Sequence, residues 1–153
     1  MSKVLVLVGE TCKDRPCEEL SLYYLKLCSR FLPVARVCYG AGSGAREPWM
    51  ARERTGIEKR LQTCGRAVLL DESGATYSTL ELLKKFEGWI AAGRGPLAFV
   101  LGGPYGLHRD LFVPGRERLS LSKLTLPHEL ALVVLLEQLY RVLAIRSGKR
   151  YHY

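Results

Sequence analysis

At 153 residues the chain is long enough to bury one hydrophobic core, and 48% hydrophobic with 25% charged residues is the balance of a folded globular protein rather than a disordered or fibrous one. Lysine and arginine outnumber aspartate and glutamate by 23 to 15, and the resulting +8 points to a polyanionic partner such as nucleic acid. No stretch approaches a membrane span, and Val4 to Val8 is too short for the apolar segment of a signal peptide, so a single cytoplasmic domain over residues 1–153, with no membrane partner, is expected.

The elements follow in order. Val4 to Val8 is a continuous apolar run ending at Gly9, the signature of a strand buried on both faces. From Glu18 to Phe31, apolar residues at Leu20, Tyr23, Tyr24, Leu27, Cys28 and Phe31 give helical spacing, stopped by Pro33. Val34 to Tyr39 predicts a second strand, and Gly40 to Gly44 a loop. Pro48 opens a helix carrying Trp49, Ile57 and Leu61 that ends near Gly65, with Gly56 weakening its middle. Ala67 to Leu70 is a third strand, followed by a turn at Asp71 to Gly74. Ser78 and Glu81 form a capping box for a helix that ends at Gly93. Pro96 to Leu101 is a fourth buried strand, and Leu119 to Ser122 alternates as a fifth. The last helix runs from Pro127 to Arg146, apolar nearly all round. Such a helix must be covered on more than one side, which predicts a two-fold dimer.

Alternating strands and helices mean an α/β fold, a mostly parallel sheet flanked by helices. Ligands in such sheets bind beyond the carboxyl ends of the strands. Two segments fall there. Gly102-Gly103-Pro104-Tyr105-Gly106 directly follows a buried strand, and its paired glycines let backbone approach a ligand. It is neither a dinucleotide fingerprint nor a P-loop. Leu119 to Glu129 leads from a strand through a polar loop into a helix, where Ser122, Thr125 and free N–H groups at the helix start can meet a small ligand. His128 lies in that first turn. The five cysteines, Cys12, Cys17, Cys28, Cys38 and Cys64, are odd in number, and none are spaced C-x-x-C. With only three histidines, no metal site is expected and the thiols are expected free.

Residues 99–140 resemble the small bacterial methyltransferases of the SPOUT class that methylate N3 of a pseudouridine in large-subunit (23S) ribosomal RNA. The likeness rests on Gly102-Gly103-Pro104-Tyr105-Gly106, on the run from Leu119 to His128, on the run from Leu136 to Arg141, and on Tyr151 and His152 at the tail. It implies a carboxyl-terminal trefoil knot, against the general rule that chains do not thread loops. It implies S-adenosyl-L-methionine as cofactor, held by Leu70, Gly102, Gly103, Leu121, Ser122, Lys123, Leu124, Thr125 and Leu126, largely through main-chain groups. It further implies a homodimer acting on ribosomal RNA within the ribosome, one subunit's tail completing the other's site. A sulfonium donor needs no metal or covalent nucleophile, so the protein must align the reactants and help the ring nitrogen lose its proton. Arg141, His128, His152 and Tyr151 are the candidates for that chemistry. The alternatives are a related knotted methyltransferase acting on another RNA, a non-catalytic basic RNA-binding or ribosome-assembly module, and a thiol-dependent enzyme.

Overall fold

The computed structural model describes residues 3–149. Five parallel strands form one sheet in the order β2-β1-β4-β3-β5: β1 Val4–Val8, β2 Val34–Cys38, β3 Arg66–Thr76, β4 Leu97–Val100 and β5 Glu117–Ser120. Between them run α1 Arg15–Cys28, α2 Arg46–Leu61, α3 Thr79–Ala92 and α4 His128–Arg146, with a short 3-10 turn at Arg109–Leu111. The α/β class and the parallel sheet are as the sequence predicts.

Successive strand residues point to opposite faces, and the core divides accordingly. Val4, Val6, Val8, Val68, Leu97, Phe99 and Leu119 face a layer made by α1, α3 and α4. Leu7, Leu69, Ala98 and Val100 face Ile57 and Leu61 of α2, together with Leu111. Burial on both faces explains why these strands read as unbroken apolar runs rather than alternating ones.

Several expectations change. The helix placed at Glu18–Phe31 starts earlier, where Asp14 caps it by accepting from Cys17 N at 3.1 Å and proline occupies the first turn. Its Leu20 and Tyr23 are exposed, at 43% and 55%. The turn expected at Asp71–Gly74 is strand: β3 continues to Thr76, and its pairing with β5 shifts register between Leu70 and Ala75. A bulge of this kind breaks the period-two pattern and so resembles a turn in sequence. The fifth strand, expected at Leu119–Ser122, ends at Ser120, leaving Leu121 and Ser122 in the loop beyond its carboxyl end. The apolar circumference of α4 is met within the chain: Leu132, Leu135, Leu136, Leu139, Val142 and Leu143 are buried among the sheet, α1 and α3. That helix therefore reads as a central core element, and its composition alone does not call for a second subunit. The Ser78–Glu81 capping box is present as read, with Glu81 N donating to Ser78 Oγ at 3.1 Å and Ser78 N to Glu81 Oε1 at 2.8 Å.

Candidate functional site

Two cavities open at the carboxyl edge of the sheet, and the turn after β4 stands between them. That turn, Gly102 to Gly106, closes on itself: Gly106 N donates to Gly103 O at 3.0 Å, with Gly106 at φ +79°. A Cβ at Gly102 would lie 2.5 Å from the Gly106 carbonyl carbon, so only glycine permits the closure.

The larger cavity measures about 790 Å³, within the range of small-molecule sites. It lies beyond β4, β3 and β5. Leu70, Gly102, Gly103, Leu121, Ser122, Leu124, Thr125 and Leu126 all line it, as does His128. Of the residues predicted to hold a cofactor, Lys123 alone is not among the lining residues, and it is exposed. The loop after β5 is shaped by its own serines. Ser120 Oγ donates to Ser122 O at 2.9 Å, and Leu124 N donates to Ser122 Oγ at 2.9 Å. Ser122 thus spends its hydroxyl on the loop. Among the described residues, the main-chain groups of Thr125 and Leu126 form no hydrogen bond within the chain, which leaves donors and acceptors for a ligand's heteroaromatic edge. Leucine walls with main-chain polar groups fit an adenosyl group well: apolar surface for a flat ring, and donors and acceptors for its edge.

The smaller cavity, about 360 Å³, lies beyond β1 on the other side of the turn. Gly102, Gly103, Pro104 and His128 border both cavities. In the smaller one sit Trp49 and Glu53 of α2. Glu53 is 3% exposed, and a Cβ added at Gly103 would lie 2.8 Å from its Oε2. Gly103 is therefore small because Glu53 backs onto it, whereas an open approach to a cofactor was the expected reason. Burial pushes the Glu53 carboxyl up, only partly offset by the Gly42 N–H, the Trp49 indole and the Gly103 N–H. The Trp49 Nε1 is buried without a well-formed hydrogen bond. Behind them Tyr39 donates its hydroxyl to Leu101 O at 2.7 Å, tying the exit of β2 to that of β4.

Glu53 is the residue that reading the sequence missed. The signal was present: Trp49, Glu53, Ile57 and Leu61 recur every four residues, so a carboxylate stands in the buried stripe of α2. The loop after β1 is also drawn in, because Lys13 N and Asp14 N both donate to the Glu129 carboxylate of α4, at 2.5 and 3.1 Å.

Arg141 is not brought to either cavity. It lies 13 residues along α4 from His128, about 20 Å at the helical rise. There it binds Glu137 through Nη2 at 2.5 Å and Nε at 3.1 Å. Tyr151 and His152 lie outside the described residues. All five thiols are free. Burial raises Cys12, Cys28 (to about 12) and Cys64, while a hydrogen bond with Asp14 raises Cys17 to about 11. Raised thiols hold little thiolate at neutral pH, which disfavours nucleophilic cysteine chemistry at these four positions.

Comparison with known proteins adds an independent line. A family model described as a predicted SPOUT methyltransferase matches residues 1–152. The ribosomal RNA large subunit methyltransferase H of Maridesulfovibrio salexigens is 35% identical over 156 residues, covering 100% of this chain and 99% of that protein. The protein of the same name from Delftia acidovorans is 40% identical over 158 residues, covering 99% of each. Among solved structures, a probable methylase family protein from Haemophilus influenzae superposes with a TM-score of 0.53 at 10% identity, over 99% of this chain and 70% of that one, a likeness of fold.

Proposed function

The chain belongs to the SPOUT methyltransferase family, and from that membership we propose that it methylates N3 of a pseudouridine in large-subunit ribosomal RNA, as a cytoplasmic homodimer that uses S-adenosylmethionine. The observation that carries this reading is the larger cavity, lined by every expected cofactor residue except Lys123. When bound, the cofactor supplies a methyl group already activated on a sulfonium. The residues do the rest. Leu70, Leu121 and Leu126 give apolar walls, with the exposed Leu124 at the cavity's border, and the Thr125 and Leu126 main chain would read the adenine edge. His128, which borders both cavities, orients the reacting groups or takes up a proton in this reading.

Arg141 keeps its charge and stabilises anionic ring or phosphate. From its position on α4 it acts on a partner's site, so its role depends on the dimer. Tyr151 is assigned stacking on RNA and His152 a share in proton transfer, both from the partner's tail. Exposed Leu20, Leu22 and Tyr23 on α1 and Leu130 on α4 are the apolar surface offered to that partner. The trefoil knot and the single domain over residues 1–153 belong to the same proposal. The sharing of one cavity wall by the turn after β4 and the loop after β5 supports the first, and the packing of all four helices into cores on the two faces of one sheet supports the second. Net charge of +8 suits an RNA partner.

The test is nucleoside mass mapping of ribosomal RNA from cells lacking the protein. The proposal expects one N3-methylpseudouridine to disappear and to return on complementation. An unchanged set of methylated nucleosides would refute it.

A further inference from the structure

The smaller cavity holds an arrangement that binding the cofactor leaves unused. Its polar lining includes a buried carboxylate, Glu53, beside a buried indole N–H, Trp49 Nε1, whose approach to that carboxylate falls short of a well-formed hydrogen bond. Its wall of Gly102, Gly103 and Pro104 is shared with the cofactor cavity. Glu53 Oε2 is pressed against the main chain of two loops: a Cβ at Gly103 or at Gly9 would stand 2.8 or 3.1 Å from it. Glu53 has N–H groups around it but, among the described residues, no cationic partner, and burying such a carboxylate is costly unless it serves a ligand.

The chemistry of the base says what that is. Pseudouridine is joined to its ribose through carbon, so the ring edge far from the sugar carries N1–H, the C2 carbonyl and N3–H in sequence. A ring entering the cavity by that edge meets one acceptor and one donor side by side. Uridine entering in the same way presents a carbonyl at the tip and N3–H on the same side, but C5–H where pseudouridine has N1–H. An acceptor at that position therefore separates the two bases, whereas a donor to the carbonyl does not.

Resting on the methyltransferase reading above, we propose that the smaller cavity receives the target base and that Glu53 selects pseudouridine over uridine by accepting the N1–H hydrogen bond. Trp49 Nε1–H donates to the C2 oxygen. With N1 and C2 engaged, N3 is the next ring atom. Sites that hydrogen-bond a substrate N–H reject analogues lacking it far more strongly than apolar pockets reject a missing methylene, because the buried partner is left unsatisfied.

The experiment compares two ribosome substrates, one with pseudouridine at the methylated position and one with uridine there, prepared from cells lacking the responsible pseudouridine synthase. Wild-type protein, Glu53→Gln and Trp49→Phe are assayed on both, with cofactor affinity measured alongside. The expected result is that Glu53→Gln lowers kcat/KM on pseudouridine by roughly tenfold or more and changes it little on uridine, so the preference shrinks, while cofactor affinity holds. Trp49→Phe lowers both substrates by the same factor. If Glu53→Gln binds cofactor and keeps the wild-type preference, or slows both substrates equally, Glu53 does no more than brace the Gly103 turn and the proposal is wrong. Failure of the wild type to bind cofactor or to methylate either ribosome would instead overturn the underlying methyltransferase reading.

Discussion

The two cavities flanking the Gly102–Gly106 turn are built from opposite materials. The larger is lined mostly by leucine side chains and main-chain polar groups, with Ser122 turned to holding the loop and the partly exposed Asp71 and the exposed Glu72 also bordering it. The smaller contains a nearly inaccessible carboxylate that has no cationic partner among the described residues. A main-chain site costs the fold little and tolerates side-chain change, except where a glycine is sterically required. A charge-lined site costs stability and depends on the one side chain that supplies the charge.

The sharpest way to break this contrast is at the two glycines. Gly102→Val places a side chain against the Gly106 main chain, which cannot yield, and should weaken S-adenosylmethionine binding by roughly a hundredfold. Gly103→Ala presses only on the Glu53 side chain, so calorimetry should show cofactor affinity nearly intact. Equal losses in the two variants would mean that the turn acts as a single rigid piece.

A second pair of experiments contrasts Glu53 with a carboxylate that has a partner. Glu18 takes two bonds from Arg36, at 2.5 and 2.7 Å, and the guanidinium holds its carboxyl below the ordinary range. Its stabilisation is present above the ordinary glutamate range and is lost as pH falls through the depressed value. Glu18→Gln should therefore cost about 1–2 kcal/mol at pH 7 and less at pH 3, measured by denaturant melts. Glu53 has the opposite sign. Its carboxyl is raised, so the fold is favoured below the ordinary glutamate range and loses that advantage as pH rises through the raised value. Glu53→Gln should melt higher than wild type by roughly 2–4 °C at pH 7, with the gap closing toward pH 4. A gap that widens on acidification would show that the Glu53 charge is well satisfied. The smallest effect is expected at Lys123, which stands off the larger cavity: Lys123→Ala should shift cofactor affinity by less than about twofold, near the noise of surface substitutions.

Much of this was legible in the amino-acid sequence, and the failures have physical causes. Strands buried on both faces leave unbroken apolar runs, so β1 and β4 stood out, and the Ser78–Glu81 box marked the start of α3. The lower half of β3 was hidden because a bulge interrupts its alternation, and β5 was misplaced by two residues because alternation cannot reveal where a partner strand stops. The walls of the larger cavity followed from the family resemblance, since main-chain contacts leave little trace in residue type. Glu53 leaves no mark in the apolar periodicity, because a carboxylate breaks that pattern even where it stands four residues from Trp49 and from Ile57.

The proposed reaction requires the larger cavity to hold S-adenosylmethionine. Titration calorimetry of the wild-type protein with that cofactor tests this most directly. Saturable binding, one cofactor to each such cavity and weakened roughly a hundredfold in Gly102→Val, is the predicted result; heats no greater than dilution at millimolar cofactor, from protein shown to be folded, would contradict it.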